Sequence, residues 1–463
     1  MAEHYDLILV GTGSGNSILN HEFSHLKVAV VEKGAFGGTC LNRGCIPSKM
    51  YVVPSVRARE AADGEPFGVR TSFSGADWPA IRDRIFGRID DNAQGGRDYR
   101  EGQDWIDVHT GTGRFTAPRA MTVDLEDGGT VEITGDQVVL ATGSRPVVPP
   151  IEGLDRVEHH TSDTIMRLEA LPERLGIVGG GYVGSEFAGI FSGLGSQVVQ
   201  VESASTLIGH HDEDVARVFT AEAQQQWDVR LDASLDRVTS SGEVITLHLS
   251  DGSTAEVDTL LVAIGRKPNS DLLDVEKADI ELDDRGLVVV DEHQRASAEG
   301  VWSLGDASSS QPLKHVANQD ARVVQHNLLH PDDLVVSDHR FVPNAVFSTP
   351  QVAAVGLTEA QAREQGLDLA VATHAFGDVA HGWALREDDT DHLVKLIADR
   401  ATGKLVGAHL IGPEASVLIQ VLIMAMSLDI PVKGLARSQY WIHPALTEVV
   451  ENALISLEAE LGA

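Results

Sequence analysis

Cys40 and Cys45 are the only cysteines among the 463 residues, and four residues separate them. Two glycines precede the pair, and the segment Pro47–Lys49 follows it. This spacing lets the two sulfurs meet across a distorted helical turn. A sulfur bridge of this kind stores two electrons and releases them by thiol–disulfide exchange. Two buried cysteines that are neighbours by chance are the alternative, but the flanking glycines and Pro-Ser-Lys favour a redox pair.

A glycine-rich loop near the amino terminus follows a predicted strand over Tyr5–Val10. We expect a helical stretch after the loop and a second strand over Val28–Val31. This βαβ arrangement binds dinucleotides, because the glycines allow a tight turn and N–H groups at the helix start face a pyrophosphate. Asn16 stands where the fingerprint usually has its third glycine, so the packing of helix on strand must be adjusted. The candidate binding residues are Gly11, Gly13, Gly15 and the ribose-binding Glu32.

The same pattern recurs at residues 174–202. Strands are predicted over Arg174–Val178 and Gln197–Val201, and here the glycine fingerprint is complete. Segments 138–146 and 260–269 also resemble each other, since each is an apolar strand followed by a small-residue turn and a proline. We therefore interpret the chain as an internal duplication with two dinucleotide sites. The candidate residues of the second site are Gly179, Gly181, Gly184 and Glu202.

Glu202 bears on the choice of nicotinamide cofactor. A carboxylate at this place accepts hydrogen bonds from a free ribose 2′-hydroxyl and repels a 2′-phosphate. The next basic side chain along the chain is Arg217, which is too distant in sequence for the usual phosphate clamp. The local chemistry therefore favours NADH over NADPH.

The composition excludes several functional classes. The 36 basic and 69 acidic residues give a net charge of −33, which argues against binding to nucleic acid or anionic membranes. No apolar run approaches the length of a membrane span, and the first strand begins too early for a secretory signal. Two cysteines form no disulfide framework, so we expect a cytoplasmic protein of about three domains. The acidic surface also suggests a salt-rich host, where screening reduces self-repulsion.

These motifs together resemble the class I FAD-dependent pyridine nucleotide–disulfide oxidoreductases, and the resemblance covers essentially the whole chain. It implies an α/β fold with two Rossmann-like dinucleotide-binding domains, one for FAD and one for NAD(P)H. An α+β carboxy-terminal dimerisation domain completes the expected architecture. The implied ranges are 1–148 and 269–338 for the FAD domain, 149–268 for the NAD(P)H domain and 339–463 for the dimerisation domain. The segments that carry the resemblance, besides the cysteine motif and the glycine loops, are Ala141–Pro146, Ala263–Asn269, Gly305-Asp306 and His443-Pro444.

Local patterns predict several elements of the carboxy-terminal part. A strand is predicted over Phe341–Phe347, and a hairpin has its turn at Asp399–Gly403. An apolar helix is predicted over Val417–Leu428, where we expect core and interface packing rather than a cofactor site.

The family resemblance also implies an electron relay. Cys45 would lie against the flavin, while Cys40 would face the substrate and attack its disulfide as a thiolate. His443 would act as the base for Cys40, with its ring held by Glu448. In this family the histidine comes from the other subunit of a homodimer, so a monomer would have no complete active site.

Further residues are implied around the flavin. Lys49 would pair with Glu186 and stabilise the reduced flavin, and Tyr182 would gate access of the nicotinamide. The alternatives are a surface lysine without a partner and an aromatic ring that only packs on the sheet. Asp306 would bind the ribityl chain, and the backbone of Ala317 would approach the flavin ring. The other cofactor-binding residues implied are Lys33, Thr39, Thr142, Gly143 and Gly265, and no metal site is expected.

The predicted activity is reduction of a small-molecule disulfide by NAD(P)H through FAD. Lys314–Asn318, Arg322–Leu329 and Gln439–Leu446 are similar to segments of the branch that reduces mycothione, the disulfide of mycothiol. Glu202 departs from that branch, which generally uses NADPH and carries arginine nearby. Bis-γ-glutamylcystine and lipoamide are the alternative substrates, and the lack of cysteines beyond Cys45 argues against mercuric reduction. An FAD- and NAD-binding redox sensor without turnover is the alternative from another functional class.

Overall fold

The computed structural model describes residues 2–462, which form an α/β protein. Two sheet regions, each with a glycine loop, are followed by an antiparallel carboxy-terminal sheet packed against helices. The predicted fold class is therefore confirmed, while the domain boundaries to the residue stay a prediction. Among the described residues, no helix is both long enough and apolar enough to span a membrane.

The first sheet is built around the strand Glu3–Val10, whose apolar side chains are buried. This strand lies parallel to Val28–Glu32 on one side and to Thr130–Leu140 on the other. Val301–Ser303 joins the same sheet in parallel with Thr130–Leu140, although it comes after the second glycine loop in the chain. The first nucleotide-binding region is therefore assembled from two separate stretches of sequence. The remaining strands of this sheet are Ile106–Ala117 and Ala120–Leu125.

The second sheet is parallel throughout and surrounds the strand Arg174–Val178. Arg266–Pro268 pairs with Ser144–Pro146 in antiparallel fashion. This pairing joins the segments through which the chain leaves the two nucleotide-binding regions. The other strands of the second sheet are Gln197–Val201, Asp228–Arg230 and Thr259–Val262, and a small antiparallel sheet beside it comprises Leu235–Ser241, Val244–Leu249 and Thr254–Val257.

The carboxy-terminal sheet confirms the predicted hairpin, because Leu393–Asp399 and Lys404–Gly412 pair in antiparallel fashion. The strand predicted over Phe341–Phe347 is shorter, and its observed bounds are Asn344–Val346. Proline at position 343 has no N–H to donate to a ladder, which explains the late start. The other strands of this sheet are Gln351–Gly356 and Leu369–Ala375.

Helices cover the sheets, and one predicted helix is interrupted. The segment expected as Val417–Leu428 forms Ala415–Leu418 and Gln420–Ser427, because the Leu422 N–H bonds to the Ile419 carbonyl three residues back and tightens the turn. The other α-helices are Gly38–Arg43, Cys45–Ala62, Trp78–Glu101, Tyr182–Leu194, Glu213–Gln226, Lys314–Leu329, Glu359–Glu364, Ala380–Ala384 and Thr447–Glu460.

The helix expected after the first glycine loop is absent from residues 11–27, so that prediction is wrong. Two short 3-10 turns, Ser14–Ser17 and His21–Phe23, occupy this stretch. The buried Arg100 guanidinium donates to the Asn16 side-chain oxygen at 2.8 Å and to the Asn16 carbonyl at 2.6 Å. The second of these bonds satisfies the Asn16 carbonyl, an acceptor that a continuing helix would have satisfied itself. Asn16, the departure from the fingerprint, is thus the residue that a distant arginine fixes.

Candidate functional site

The two cysteines lie at the junction of two helices. Gly38–Arg43 carries Cys40, and the following helix begins at Cys45 with Gly44 between them. A Cβ at Gly44 would lie only 3.0 Å from the Thr39 carbonyl oxygen, so this tight junction favours glycine. Both cysteines are thiols in the structure. The junction is the distorted turn that the spacing predicted.

The two thiols differ in their tendency to ionise. Hydrogen bonding with the Cys40 thiol lowers the pKa of Cys45 to about 7, and the nearby Lys49 charge also lowers it. The same interaction with Cys45, together with burial, raises the pKa of Cys40. The pair therefore holds its negative charge on Cys45 near neutral pH, whereas Cys40 keeps a proton that a base must remove.

Lys49 and Glu186 form the predicted ion pair, with 3.2 Å between Lys49 Nζ and Glu186 Oε1. The ammonium also lies over the Phe347 ring, 3.2 Å from its centroid, and the Phe347 N–H donates to Glu186 at 2.8 Å. Burial lowers the pKa of Lys49, although the carboxylate opposes this effect. Phe347 was not foreseen as a site residue, because no local motif indicates a contact across 161 residues of sequence.

A cavity of about 540 Å³ opens in front of the cysteines. Its wall includes Thr142 Oγ1, a buried hydroxyl that has no hydrogen-bond partner among the described residues. Gly13 and Gly38 meet across the wall, since a Cβ at Gly38 would lie 2.7 Å from the Gly13 Cα. The predicted residues that line the cavity are Gly11, Gly13, Glu32, Lys33, Thr39, Cys40, Cys45, Lys49, Thr142, Gly143, Tyr182, Glu186, Asp306 and Ala317.

Glu32 braces the first glycine loop at the cavity. Its Oε2 accepts from the Thr12 N–H at 2.8 Å and from the Thr12 hydroxyl at 2.7 Å, while its Oε1 accepts from the Gly34 N–H at 2.9 Å. Gly15 does not line the cavity but lies against Ala141, where a Cβ would approach within 2.4 Å of the alanine methyl. Gly15 therefore provides the close packing that the missing third glycine of the fingerprint was expected to provide.

Asp306 reaches the cavity through contacts that join the two nucleotide-binding regions. The Ser144 hydroxyl donates to Asp306 at 2.6 Å, and Arg266 Nε donates to the Ser144 hydroxyl at 2.8 Å. Ser144 and Arg266 were not foreseen, although both belong to the duplicated segments noted in the sequence. Ala317 lies under the same loop, because a Cβ at Gly305 would lie 2.8 Å from the Ala317 Cβ.

The second glycine loop repeats the geometry of the first. Glu202 Oε2 accepts from the Gly180 N–H at 2.6 Å, and its Oε1 accepts from the Ala204 N–H at 2.8 Å. Arg217 instead forms long ion pairs with Asp214 and Asp391, both at 3.8 Å. The residues of this site that lie outside the cavity are Gly179, Gly181, Gly184, Glu202 and Gly265.

Tyr182 lies between the cavity and the apolar core behind it. It begins the helix Tyr182–Leu194, lines the cavity and also packs against the core of the second region. Burial raises the pKa of its hydroxyl, so the side chain is neutral at physiological pH. Both interpretations of this residue, as a gate and as a packing aromatic, are compatible with its position.

His443 and Glu448 form the predicted pair but lie away from Cys40. His443 Nδ1 is 2.8 Å from Glu448 Oε1, and this hydrogen bond lowers the pKa of the Glu448 carboxyl. The His443 side chain is 73% exposed and does not line the cavity that contains the cysteines. Tyr440 and Ile442 beside it are also largely exposed. Within the described chain, the base and the thiol that it is expected to serve are separate.

Comparison with known protein families places both parts of the chain. Residues 5–321 match the pyridine nucleotide-disulphide oxidoreductase family, and residues 342–454 match the dimerisation domain of the same family. The chain belongs to this family. The match joins the two glycine loops, the cysteine pair and the carboxy-terminal sheet into one established architecture.

Individual relatives support the same assignment. The chain is 48% identical over 462 residues to the mycothione reductase of Mycobacterium tuberculosis, covering 98% of this chain and all of the relative. It is 34% identical to the dihydrolipoyl dehydrogenase of Haloferax volcanii, covering 97% and 96% of the two chains. Among solved structures, the Cu(II) complex of the HOCl-induced flavoprotein disulfide reductase RclA from Escherichia coli matches with a TM-score of 0.87, 29% identity and 98% and 99% coverage.

As a member of this family the chain is an NAD(P)H-dependent flavoprotein disulfide reductase that uses FAD. The cavity fits the flavin cofactor, because the tight glycine wall and the unpartnered Thr142 hydroxyl suit a ligand rich in hydrogen-bonding groups. Among residues 2–462, no cluster of His, Cys, Asp or Glu side chains is placed to hold a metal ion.

Proposed function

We propose that this chain is the subunit of a homodimeric reductase whose substrate is mycothione. The observation that carries the proposal is the 48% identity to a mycothione reductase over both full lengths, against 34% for the dihydrolipoyl dehydrogenase. The pocket that selects the disulfide is formed by several segments, and identity across the whole chain samples all of them.

Bound FAD supplies the two-electron connection between NAD(P)H and a Cys40–Cys45 disulfide. Reduction of that bridge leaves a thiolate on Cys45 and a thiol on Cys40, which agrees with the depressed pKa of Cys45. Lys49, paired with Glu186 at the cavity wall, would provide positive charge to a flavin bound in the cavity. The protein's part in this half of the reaction is thus to orient the pair and to hold charge.

The second half passes the electrons to the substrate. Cys40 loses its proton to a histidine and attacks the substrate disulfide, whose S–S bond breaks as a mixed disulfide forms. The departing thiolate takes that proton, and the Cys45 thiolate then attacks Cys40 and re-forms the bridge. The second substrate thiolate leaves and takes a proton from solvent. One NAD(P)H and one proton thereby convert one disulfide into two thiols.

The histidine in this scheme is His443 of a second subunit. Its 73% exposed side chain and its separation from the cavity support delivery across a dimer interface. The dimerisation-domain match over residues 342–454 and the exposed apolar side chains of Val417, Met424 and Leu428 support the same interface. Glu448 would hold the imidazole through Nδ1 and leave Nε2 free for the proton.

The second nucleotide site favours NADH. Glu202 is fixed by two backbone N–H groups at the position where a ribose hydroxyl would bind, and a 2′-phosphate there would meet a carboxylate. Arg217 is held by two acidic side chains and does not compensate for that charge. This preference departs from the NADPH use that is general in the mycothione branch.

Steady-state kinetics with purified enzyme test the proposal directly. Mycothione, bis-γ-glutamylcystine and lipoamide are each assayed with NADH and with NADPH, and we expect the largest kcat/KM with mycothione and NADH. A larger kcat/KM with lipoamide or bis-γ-glutamylcystine would reject the substrate assignment. Cys40→Ser is the control, since it should keep the flavin and lose all three activities. A protein that binds both cofactors and reduces none of the disulfides would be a sensor.

A further inference from the structure

A buried ion cluster joins the second nucleotide-binding region to the carboxy-terminal sheet. Lys395, on the strand Leu393–Asp399, is only 4% exposed. Its Nζ lies 2.9 Å from Asp212, 2.7 Å from Asp214 and 2.8 Å from Glu359. These four residues are the Lys395 cluster. Because removal of one partner would leave buried charges unpaired, the cluster holds the two parts of the chain together.

Asp212 lies at the centre of the Lys395 cluster. Its side chain is 2% exposed, and the helix Glu213–Gln226 begins directly after it. One carboxylate oxygen accepts from Lys395, and the other accepts from the Glu359 N–H at 3.0 Å. The first oxygen also accepts from the Asp214 N–H at 3.3 Å, which caps the helix. The chain is therefore fixed at this point from two sides.

Residues 203–211 connect the Lys395 cluster with the second glycine loop. They follow Glu202 and lead directly to Asp212. Midway along this segment, the Ile208 N–H donates to the Gly180 carbonyl at 2.8 Å. The Gly180 N–H donates to Glu202 at 2.6 Å. Gly180 is thus held through both of its backbone polar groups, and one of them depends on residues 203–211.

Ile208 has a backbone conformation that costs energy. Its φ angle is +47°, in the left-handed region that β-branched residues avoid, and its side chain is buried. Such a conformation persists only where the surrounding structure imposes it. The bond to Gly180 fixes the residue itself, and the Lys395 cluster fixes the chain four residues later at Asp212. Without the cluster, we expect the segment to relax and the glycine loop to lose its support.

We propose that Lys395 is a positioning residue for the nicotinamide nucleotide. By holding Asp212, it keeps residues 203–211 in their strained conformation, and these residues keep Gly180 in place for the dinucleotide. The part of the chain that matches the dimerisation domain thus also supports nucleotide binding. The inference rests on the second glycine loop as the nicotinamide site, which belongs to the function proposed above, but not on which disulfide is the substrate.

Two substitutions open the cluster to different degrees in the FAD-loaded enzyme. Lys395→Met removes the positive charge, whereas Asp212→Asn weakens one ion pair and keeps a side chain that can cap the helix. Val394→Ala is the matched control, because Val394 is buried on the same strand but belongs to the apolar core on the other face of the sheet. It should lower the melting temperature without opening the cluster.

Calorimetric titration of the oxidised enzyme with NAD⁺ and with NADP⁺ measures nucleotide binding without turnover. In Lys395→Met we expect the Kd of the preferred nucleotide to rise about tenfold, as follows when the loop is ordered in about a tenth of the molecules. Asp212→Asn should raise the Kd by a smaller factor, and it decides the question where Lys395→Met yields too little folded protein. Val394→Ala should keep the wild-type Kd.

Hydrogen exchange and half-reactions separate positioning from general stability. Peptides that contain Ile208 should exchange about tenfold faster in Lys395→Met and at the wild-type rate in Val394→Ala. In stopped-flow experiments, reduction of the flavin by the nucleotide should need a higher nucleotide concentration. Reoxidation of the dithionite-reduced enzyme by its best disulfide should keep the wild-type rate.

A wild-type Kd in both cluster variants would overturn the proposal. Equal losses of nucleotide affinity in Lys395→Met and Val394→Ala would also overturn it, because the effect would then be a general loss of stability. A wild-type enzyme that reduces none of the three disulfides would reject the proposed substrate alone, since the titration and the exchange experiment need no disulfide.

Discussion

In both nucleotide-binding regions, the first glycine of the loop packs against the backbone of an alanine at the end of a neighbouring strand. In the first, a Cβ at Gly11 would lie 2.3 Å from the Ala141 carbonyl oxygen, and in the second a Cβ at Gly179 would lie 2.4 Å from that of Ala263. Both glycines have left-handed φ angles, +101° and +116°. The loop must therefore pass directly over the end of a neighbouring strand, and only glycine allows that approach.

The acidic residues repeat this correspondence. Glu32 is the last residue of the second strand of its region, and Glu202 comes directly after the corresponding strand. Each accepts the N–H of the residue after the first glycine. Each also accepts the N–H two residues further along its own chain. A carboxylate at this position thus holds the glycine loop in place through its backbone N–H groups.

The two regions differ in the structure that comes after the loop. The second continues into the 13-residue helix Tyr182–Leu194, whereas the first has short turns fixed by Arg100. The first loop touches the cysteine segment, through Gly13 and Gly38. The two regions therefore share the glycine loop and the carboxylate that accepts its N–H groups. The helix is replaceable where another side chain satisfies the exposed backbone groups.

The largest effect is expected from a substitution in the cysteine pair, which lies beside the first nucleotide-binding region. Cys45→Ser should reduce disulfide reductase activity by about a thousandfold or more, because the bridge that receives electrons can no longer form. Bound flavin and its reduction by NADH should remain, since the nucleotide sites are unchanged. Absorbance spectra and steady-state rates measure both. Retained disulfide reduction would show that another route carries the electrons.

Matched glycine substitutions compare the two loops. Gly11→Ala and Gly179→Ala should each destabilise the protein by roughly 2 kcal/mol or more, because the new methyl meets a carbonyl oxygen at a left-handed φ. Gly11→Ala should lose FAD, and Gly179→Ala should keep FAD and raise the KM for the nicotinamide nucleotide. Calorimetry, flavin content and kinetics distinguish the two.

Gly128→Ala controls for backbone strain alone. Gly128 also has a left-handed φ, but a methyl group added there would have no neighbouring atom within 4 Å. Its loss of stability should be the smallest of the three. Equal losses at all three glycines would mean that the close approach to the strand contributes nothing.

Glu202→Arg tests the nucleotide preference of the second region. The substitution replaces repulsion of a 2′-phosphate with attraction, so we expect the ratio of kcat/KM for NADPH to that for NADH to rise by about tenfold or more. Glu243→Arg, on an exposed turn, makes the same change of charge elsewhere and should leave the ratio unchanged. A ratio that does not move would place the ribose away from this carboxylate.

The smallest expected effect is a shift in the pH at which the Cys45 thiolate forms. Because the pKa of Cys45 is lowered to about 7, its thiolate should form as the pH rises through neutrality and disappear below it. The long-wavelength absorbance of the NADH-reduced enzyme should follow the same curve. Lys49→Met should move the midpoint upward, because the lysine charge favours the thiolate. A midpoint near the ordinary thiol value in the wild-type enzyme would contradict the assignment of the charge to Cys45.

Sequence reasoning succeeded where spacing along the chain fixes geometry. Four residues between the cysteines, and glycines at the ends of predicted strands, set contacts within one or two turns of backbone. The ion pair of Lys49 with Glu186 was predicted through the family resemblance and is present at 3.2 Å. The helix after the first loop was predicted wrongly, because its replacement depends on Arg100, which lies 84 residues away.

By itself, the sequence determined the close placement of the two cysteines, the duplicated glycine loops and the family, since these depend on residue types at short, fixed intervals. Only the tertiary structure decided which side chains share the cavity. Phe347 meets Glu186 across 161 residues, and Lys314 meets Ser14 across 300. The physical reason is that such contacts arise from the packing of sheets and helices assembled from distant stretches, which no local pattern encodes.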